Sequence, residues 1–297
     1  MLNFHKYGFL DQRRLLANVE EAGFWLTSLN PTWLFLWSDL YKPEIAFKNA
    51  FTYIRVYIKG EGIIYYPPIG KGDMRLALYE MKEDAKALGI DFNMMSIDDK
   101  LNMTLNSLRC NTLDNRDKFD YIYSAETLAM TSKKLFKKEI RSIKEFYSNN
   151  PDTFSRAIKK EDFPAILEFI NNWNTNSHID YANVDIYTRL NMIKKAMEHL
   201  YELSLVGIVL INDSGIMGFM LGSIINNVCY SHAIMALDIE GCELALIQAF
   251  TMLISRSARY ISLECDNGNK EVRERFLNLK PLKLEKYYQT FLNDNED

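Results

Sequence analysis

The most regular pattern of apolar and polar positions lies between Gly215 and Ala258. Two largely apolar runs, residues 215–225 and 228–236, are separated by Asn226-Asn227. Asn tolerates the positive φ that a two-residue hairpin turn requires. After Gly241 the helical positions are apolar on nearly every side, which predicts a buried helix rather than one with a wet face. The stretch therefore predicts strand, tight turn, strand, short acidic loop and buried helix.

The rest of the chain repeats this kind of order on a larger scale. Helices are predicted over Gln12–Ala22, Met74–Leu88, Ile97–Leu108, Ser124–Asn150, Glu161–Trp173, Ile186–Glu202 and Lys270–Leu277. Strands are predicted over Phe51–Ile58, Ile63–Tyr66, Asp91–Ser96, Lys118–Ser124, Phe154–Ile158, Leu205–Ile211, Tyr260–Cys265 and Leu282–Phe291. Helices, hairpin, helix and strand occur in the same order twice, which indicates an internal duplication.

We expect an α/β (α+β) fold with two mixed central sheets flanked by helices. The predicted first module covers residues 1–124, a basic connecting helix covers 125–150, and the second module covers 151–297. With 297 residues, 48% of them hydrophobic, the chain can bury a large core. The net charge of −4 is too small to indicate polyanion binding by the chain as a whole.

Cysteine usage and hydropathy indicate where the protein works. The four cysteines occur singly, without the spacing of a zinc site or the density of a disulfide scaffold. The first residues lack the layout of a signal peptide, and no apolar run is long enough to cross a bilayer. We therefore expect a cytoplasmic protein with reduced thiols, no transmembrane segment and no metal site.

A glycine-containing loop before the helix at Met74 is a candidate phosphate site. Gly70, Lys71 and Gly72 precede the helix and Arg75 lies in its first turn. Backbone amides at a helix N-terminus, together with nearby cations, suit a phosphate. The alternative, which we favour, is a sharp strand-to-helix turn in which Asp73 caps the helix.

The predicted helix after Ser124 carries a stripe of cations. These residues are Lys133, Lys134, Lys137, Lys138, Arg141 and Lys144. Like charges four residues apart destabilise a helix, so an anionic partner such as tRNA phosphate or a lipid headgroup would relieve that cost. The alternative is a solvated face whose cations pair with Glu139 and Glu145.

Three side chains are candidates for proton transfer. His232 lies on the second hairpin strand, where it is expected to share a face with Tyr230 and Ile234, and an imidazole there can accept a proton from an attacking amine. Glu264 and Asp266 lie at the end of the strand after the buried helix, at alternate positions that are expected to face the same way, so either is a candidate base or amine ligand. The alternatives are a hydrogen-bonded core histidine and an aspartate that caps the next helix.

Several motifs together resemble a known bacterial family. They are Leu36-Trp37-Ser38-Asp39-Leu40-Tyr41, Tyr66-Pro67-Pro68-Ile69-Gly70-Lys71-Gly72-Asp73, Asp120-Tyr121-Ile122-Tyr123-Ser124, the lysine-rich helix, Phe169–Trp173 and the hairpin with His232. The chain resembles proteins related to the C-terminal domain of phosphatidylglycerol lysyltransferase. The resemblance implies a tandem GNAT-like acyltransferase fold, and a reaction that moves an aminoacyl or acyl group to an amine or hydroxyl.

The chain also departs from the family pattern. Relatives tend to show His-x-Glu-Lys-Ala where this chain has His232-Ala233-Ile234-Met235-Ala236, and Asn-Arg-Glu-x-Asp-x-Gly where it has Ser262–Gly268. A family Lys-Lys-Arg becomes Lys137-Lys138-Glu139, with Arg141 as a possible substitute. Two functions follow: an acyl- or aminoacyl-transferase, which we prefer, and a non-catalytic descendant that binds a peptide, lipid or nucleic acid.

The acidic loop before the buried helix bears on the acyl donor. GNAT enzymes that use coenzyme A hold its pyrophosphate on bare amides at the start of this helix. Here Asp238, Glu240 and Glu243 occupy that neighbourhood and would repel a phosphate. We therefore do not expect acetyl-coenzyme A as the donor. The resemblance implies aminoacyl-tRNA instead, with no cofactor identified, and we expect tRNA or an anionic lipid headgroup to contact the basic helix.

Overall fold

The computed structural model describes residues 2–108, 110–130, 132, 134–176 and 185–291 of the chain. The chain forms two compact units, and each has its own mixed sheet and helices. The first unit is Met1–Asp120 with Glu285–Asp297, and the second unit is Tyr121–Leu284. Lys133 of the basic stripe lies outside the described residues.

The first unit places its helices around a mixed sheet. Its helices are α1 (Gln12–Ala22), α2 (Pro31–Leu36), α3 (Ser38–Tyr41), α4 (Met74–Leu88) and α5 (Asp99–Ser107). Its strands are β1 (His5–Lys6), β2 (Glu44–Lys48), β3 (Phe51–Ile58), β4 (Gly62–Tyr65), β5 (Ile69–Gly70), β6 (Asn93–Ile97), β7 (Thr112–Asp114) and β15 (Tyr288–Phe291). The order along the sheet is β1-β2-β3-β4-β6-β15-β7, with β5 paired to β3. The β4–β6 pairing is parallel.

The C-terminal strand completes the first sheet. The sequence predicted one strand over Leu282–Phe291 in the second module, but two short strands form there. The first of them pairs in the second sheet, whereas β15 pairs antiparallel with both β6 and β7. Apolar alternation shows that a segment is extended, but it does not show which sheet the segment joins.

The second unit is built on the predicted hairpin and buried helix. Its helices are α6 (Ala125–Leu128), α7 (Lys137–Asn149), α8 (Phe163–Asn176), α9 (Ile186–Glu198), α10 (Cys242–Ile254) and α11 (Lys270–Asn278). Its strands are β8 (Asp120–Ser124), β9 (Phe154–Ala157), β10 (Val206–Asn212), β11 (Gly215–Ile225), β12 (Val228–Ala236), β13 (Tyr260–Ser262) and β14 (Lys283–Glu285). The order along the sheet is β14-β8-β13-β12-β11-β10-β9.

The central pattern of the sequence is confirmed. Asn226 and Asn227 form the turn between β11 and β12 with φ of 48° and 66°. Helix α10 buries Leu246, Ile247 and Phe250 completely against the sheet. Burial on this scale contributes about 1.5–3 kcal/mol for each large apolar side chain, so α10 and the hairpin form the core of the unit.

The basic segment is not one continuous helix. After the short helix α6, Met130 adopts a positive φ of 52°, which ends the helical path. Helix α7 then starts at Lys137, next to the fully buried ring of Phe136. The sequence indicated a single helix because the charged positions continue through the break. The burial of Phe136 depends on tertiary packing, which the local pattern does not show.

Candidate active site

The pairing of β12 with β13 is short and then ends. The parallel pairs are Val228 with Tyr260, Cys229 with Ile261 and Tyr230 with Ser262. Strand β12 continues to Ala236, whereas β13 ends at Ser262. The two strands therefore part after Tyr230, and the pair is splayed beyond that point.

His232 is the extra residue of a β-bulge in β12. Leu221 pairs with Ala233 but Gly222 pairs with Ser231, so His232 is left without an opposite residue on β11. The irregularity also reverses the alternation of side chains along β12. Tyr230 and Ile234 consequently face opposite sides of the sheet, and the expectation that His232 shares one regular strand face with both is wrong.

The His232 ring is buried and held by one hydrogen bond. Its Nε2 lies 2.8 Å from the Ser223 hydroxyl, and its exposed fraction is 4%. Nδ1 has no hydrogen-bond partner in the described part of the chain. Burial lowers the pKa of His232 to about 3, so the ring is neutral at physiological pH.

Glu264 and Asp266 do not lie on one strand face. Strand β13 ends before them, and Glu264 has a left-handed φ of 65°. Its backbone carbonyl accepts the Tyr121 amide at 3.0 Å, which continues the contact with β8. The prediction that their side chains point the same way along a strand is therefore wrong.

The Asp266 carboxylate is saturated with hydrogen bonds. It accepts Arg273 Nε at 2.9 Å and Arg273 Nη2 at 2.7 Å, the Tyr121 hydroxyl at 2.5 Å and the Gly268 amide at 2.9 Å. Complete burial opposes the charge, but the hydrogen bonds from Arg273 and Tyr121 outweigh it and hold the pKa of Asp266 below its usual value. Asn269, rather than Asp266, caps α11. This geometry gives Asp266 a structural role as an anchor for Arg273.

The start of α10 is closed by α7. Gly241 has a φ of 82°, and a Cβ atom there would overlap the Ser142 carbonyl oxygen of α7. The first amide of the helix, that of Cys242, already donates to the Ile239 carbonyl at 3.0 Å. The Cα of Gly241 is therefore packed against α7, and one of the amides that would have to cradle a pyrophosphate is already hydrogen-bonded.

A cavity of about 540 Å³ lies beside this closed helix start. The charged residues that line it are Lys138, Glu139, Arg141, Glu145, Asp238, Glu240, Glu243 and Arg275. Arg141 pairs with Glu145 at 2.8 Å, and Arg275 pairs with Glu243. Lys137 lies exposed in the first turn of α7. The structure thus brings the basic helix and the acidic loop to one cavity, where carboxylates outnumber cations.

The glycine loop of the first unit has a structural explanation. Gly70 pairs with Phe51 of β3, and a Cβ atom at Gly70 would overlap the Ala50 carbonyl oxygen. At Gly72 a Cβ atom would lie 2.7 Å from the Phe51 ring. Asp73 caps α4 by accepting the Arg75 amide at 2.9 Å, and Lys71 pairs with Glu21 at 2.5 Å. The glycines are needed for close packing, and an acidic cap occupies the helix start.

Three residues that hold the candidate site were not identified from the sequence. Ser223 forms a hydrogen bond with His232, while Tyr121 and Arg273 donate hydrogen bonds to Asp266. Ser223 lies opposite Tyr230 across the hairpin, so counting back from the Asn-Asn turn would have placed it near His232. Tyr121 lies in one of the motifs that resemble the family, but it is so far from Asp266 in sequence that the motif does not indicate their contact. Within the described residues, no group of three His, Cys, Asp or Glu side chains is placed to hold a metal ion, and no helix there is long and apolar enough to span a membrane.

The hairpin, the splayed parallel pair and the buried helix define a GNAT-like fold, and the chain as a whole has the tandem form of it. The family model described as phosphatidylglycerol lysyltransferase, C-terminal, matches residues 27–286. The chain therefore belongs to this family. None of the curated proteins compared with the sequence matches it.

Solved structures agree with the fold. A conserved protein of unknown function from Bacteroides thetaiotaomicron is 23% identical, with a TM-score of 0.92, covering 99% of this chain and 100% of its own. L-PGS from Bacillus licheniformis is 14% identical, with a TM-score of 0.67, covering 96% and 92%. FemX is 8% identical, with a TM-score of 0.65, covering 98% of both chains. At these identities the likeness shows the fold alone.

Proposed function

We propose that this protein is an acyltransferase that uses an aminoacyl-tRNA as donor and an amine or hydroxyl of a lipid, peptide or small molecule as acceptor. The family supports transfer of an acyl or aminoacyl group. A cytoplasmic location, where charged tRNA is available, belongs to the same proposal.

The closed start of α10 is the observation that carries the choice of donor. The Ser142 carbonyl of α7 packs against the Cα of Gly241, and the Cys242 amide is already hydrogen-bonded to Ile239. Asp238 and Glu240 add negative charge around the same point, while the charge of Glu243 is compensated by Arg275. Like charges in this position repel a pyrophosphate, so a coenzyme A thioester is a poor donor here.

The proposed transfer is a direct displacement at the donor ester. The acceptor nitrogen or oxygen attacks the ester carbonyl carbon, its bond to that carbon forms, and the bond from the carbon to the tRNA ribose oxygen breaks. The ribose oxygen leaves as a hydroxyl and takes up one proton, while the acceptor loses one. Such a reaction needs positioning and stabilisation of the ester oxygen more than covalent help from the protein.

His232 suits a positioning role in this reaction. Its low pKa makes the ring a weak base, because burial disfavours the imidazolium that proton uptake would form. The hydrogen bond to Ser223 joins β12 to β11 across the bulge. We therefore propose that the ring holds the bulge next to the splayed strands. The proton that the acceptor loses then passes to solvent or directly to the leaving ribose oxygen.

The exposed cations of α7 supply the proposed contact with the donor. Lys137, Lys138 and Arg141 lie exposed on this helix. Counterion release from nucleic-acid phosphates stabilises such contacts in a salt-dependent way. Glu145 neutralises part of this charge through Arg141, so Lys137 and Lys138 are expected to contribute most.

A transfer assay tests the proposal. The protein is incubated with radiolabelled lysyl-tRNA and vesicles containing phosphatidylglycerol, and in parallel with labelled acetyl-coenzyme A and lysine. We expect label to reach the lipid or a small amine only from the tRNA donor. Transfer from acetyl-coenzyme A alone would overturn the assignment of the donor.

The variant Lys137→Glu with Lys138→Glu separates binding from folding. We expect unchanged thermal unfolding and a loss of salt-dependent tRNA affinity. The matched control is Lys194→Glu with Lys195→Glu on α9, which makes the same charge change outside the cavity. Equal tRNA affinity in both variants would show that α7 is only a solvated face.

A second function is a non-catalytic binding protein of the same fold. It is favoured by the burial of His232 and by the saturation of Asp266, which leave neither group poised to accept a proton from a substrate. Under this function the wild type binds tRNA or anionic vesicles in the assay above but transfers no label from any aminoacyl donor tried.

A further inference from the structure

A second cavity lies in the first unit, in a part of the molecule that the proposed function does not use. Its volume is about 250 Å³. It is lined by Arg75, Leu78, Tyr79, Lys82, Phe92, Met94, Leu108, Cys110 and Thr290. The walls come from α4, β6, the end of α5 and β15, which all belong to one compact unit.

The floor of this cavity is apolar and buried. Phe92 is 4% exposed and Met94 is 1% exposed. Leu78 closes the floor from α4, and Leu108 is half-buried at its edge. Such a surface favours an apolar chain or ring, because contact with it removes apolar area from water on both sides.

The rim has the opposite character. Arg75, Tyr79 and Lys82 are exposed and occupy one face of α4 at spacings of four and three residues. Within the described residues, neither Arg75 nor Lys82 forms an ion pair through its side chain, and no carboxylate lines the cavity. Some other cations of the same unit are paired, such as Lys48 with Glu80 at 2.7 Å and Arg55 with Asp84 at 2.7 Å.

Cys110 also lines this cavity. Its side chain is 9% exposed at the cavity wall. Burial raises the pKa of the thiol, while the positive charge of Lys82 acts in the opposite direction. Lys82 and Cys110 line the same cavity, so a ligand bound there would lie beside the thiol.

We propose that this cavity binds a small amphiphilic anion, an apolar chain or ring that ends in one carboxylate or phosphate. The apolar part lies on Phe92 and Met94, and the anionic end lies between Arg75 and Lys82. The volume is below that of ordinary drug-sized sites, so the ligand is a short acyl or aryl anion rather than a nucleotide. This site is separate from the transfer chemistry and does not rest on it.

The test measures alkylation of Cys110 by N-ethylmaleimide in the folded full chain, with mass spectrometry of peptides to distinguish it from the other cysteines. The probes are octanoate, octyl phosphate, octanol, octylammonium and inorganic phosphate. We expect octanoate or octyl phosphate to slow alkylation of Cys110 in a saturable manner. Octanol, octylammonium and inorganic phosphate are expected to protect far less, and the ratio between the first two probes separates a carboxylate ligand from a phosphate ligand.

Charge removal provides the specific variant. Arg75→Gln with Lys82→Gln changes two exposed side chains, so the fold is expected to persist, and affinity for the better anion should fall on the order of tenfold or more. The matched control is Lys86→Gln with Lys100→Gln, two exposed lysines of the same unit outside the cavity, and its affinity should equal that of the wild type.

Leu108→Trp fills the cavity without changing any charge, and it should abolish saturable protection while the circular dichroism spectrum stays unchanged. The proposal is overturned if neither anion protects Cys110, if octanol protects as well as octanoate, or if the control pair loses as much affinity as the rim pair.

Discussion

The backbone of Gly241 lies against the carbonyl oxygen of Ser142, so closely that a Cβ atom would overlap it. This contact joins the start of α10 to the middle of α7. It places the partial negative charge of a carbonyl oxygen beside the start of α10. The proposed exclusion of coenzyme A therefore rests on this helix-to-helix contact as well as on the acidic side chains.

The first prediction concerns acetyl-coenzyme A. Titration calorimetry should show no binding in the micromolar range to the wild type. Asp238→Asn with Glu240→Gln should not restore binding, because the Ser142 carbonyl and the use of the Cys242 amide are unaffected. Glu198→Gln with Glu202→Gln controls for the change in net charge. Micromolar affinity in the wild type, or its appearance only in the acidic-loop variant, would contradict the steric explanation.

The second prediction isolates the contact itself. Gly241→Ala should lower the free energy of unfolding by about 1–3 kcal/mol, measured by urea denaturation, since the added methyl group forces the two helices apart. Gly89→Ala is the matched control, because Gly89 also has a left-handed φ, of 67°, but nothing lies within 4 Å of its Cβ position. That control should cost only about 1 kcal/mol of backbone strain. Equal losses at the two sites would show that the contact with Ser142 is unimportant.

The sequence predicted the elements better than their partners. Helices α1 and α4 and strand β3 have the bounds expected from periodicity, because each has a clear amphipathic pattern and a clear stop. The bulge at His232 was invisible, since one extra residue in a strand leaves no trace in an apolar run. The pairing of β15 with β6 and the network of Tyr121, Asp266 and Arg273 join residues that are far apart in sequence, and no local pattern contains that information.

The third prediction concerns the Asp266 network. Asp266→Ala should destabilise the protein by about 3–5 kcal/mol, because it leaves the Arg273 guanidinium and the Tyr121 hydroxyl without their acceptor. The control is Asp162→Ala, which removes a similar two-bond pairing, with Arg156, but at a partly exposed site. It should cost about 1 kcal/mol or less for the ion pair. If thermal unfolding of the two variants were the same, the structural role of Asp266 would be contradicted, and Asp266 would again be a candidate catalytic residue.

The fourth prediction concerns stability in acid. The folded-state pKa of His232, about 3, lies below the value of about 6.5 in an unfolded chain. Between these values the unfolded chain binds the extra proton, so this residue makes stability fall as pH decreases from 6.5. His232→Gln keeps a group that can bond Ser223 but cannot titrate. Its urea midpoint should depend less on pH between 6.5 and 4 than that of the wild type, and an unchanged dependence would contradict burial of a neutral ring.

The last prediction concerns the loss of stability as pH rises above neutral. Asp120 accepts the Thr27 amide at 2.6 Å and is only 4% exposed. Burial is the largest influence, and with the nearby charge of Glu285 it raises the pKa of Asp120 to about 7. The unfolded value is about 3.9, so the folded protein holds the proton more tightly across that range. This contribution to stability is complete below about pH 4 and is lost as pH rises through about 7.

Asp120→Asn keeps an oxygen acceptor for Thr27 and removes the titration. The free energy of unfolding of the variant should therefore exceed that of the wild type by roughly 2–4 kcal/mol at pH 8 relative to pH 5. Asp117→Asn, a change at an exposed neighbouring position, should leave the pH dependence as it is in the wild type. Parallel pH profiles for wild type and Asp120→Asn would show that Asp120 is ionised in the folded protein.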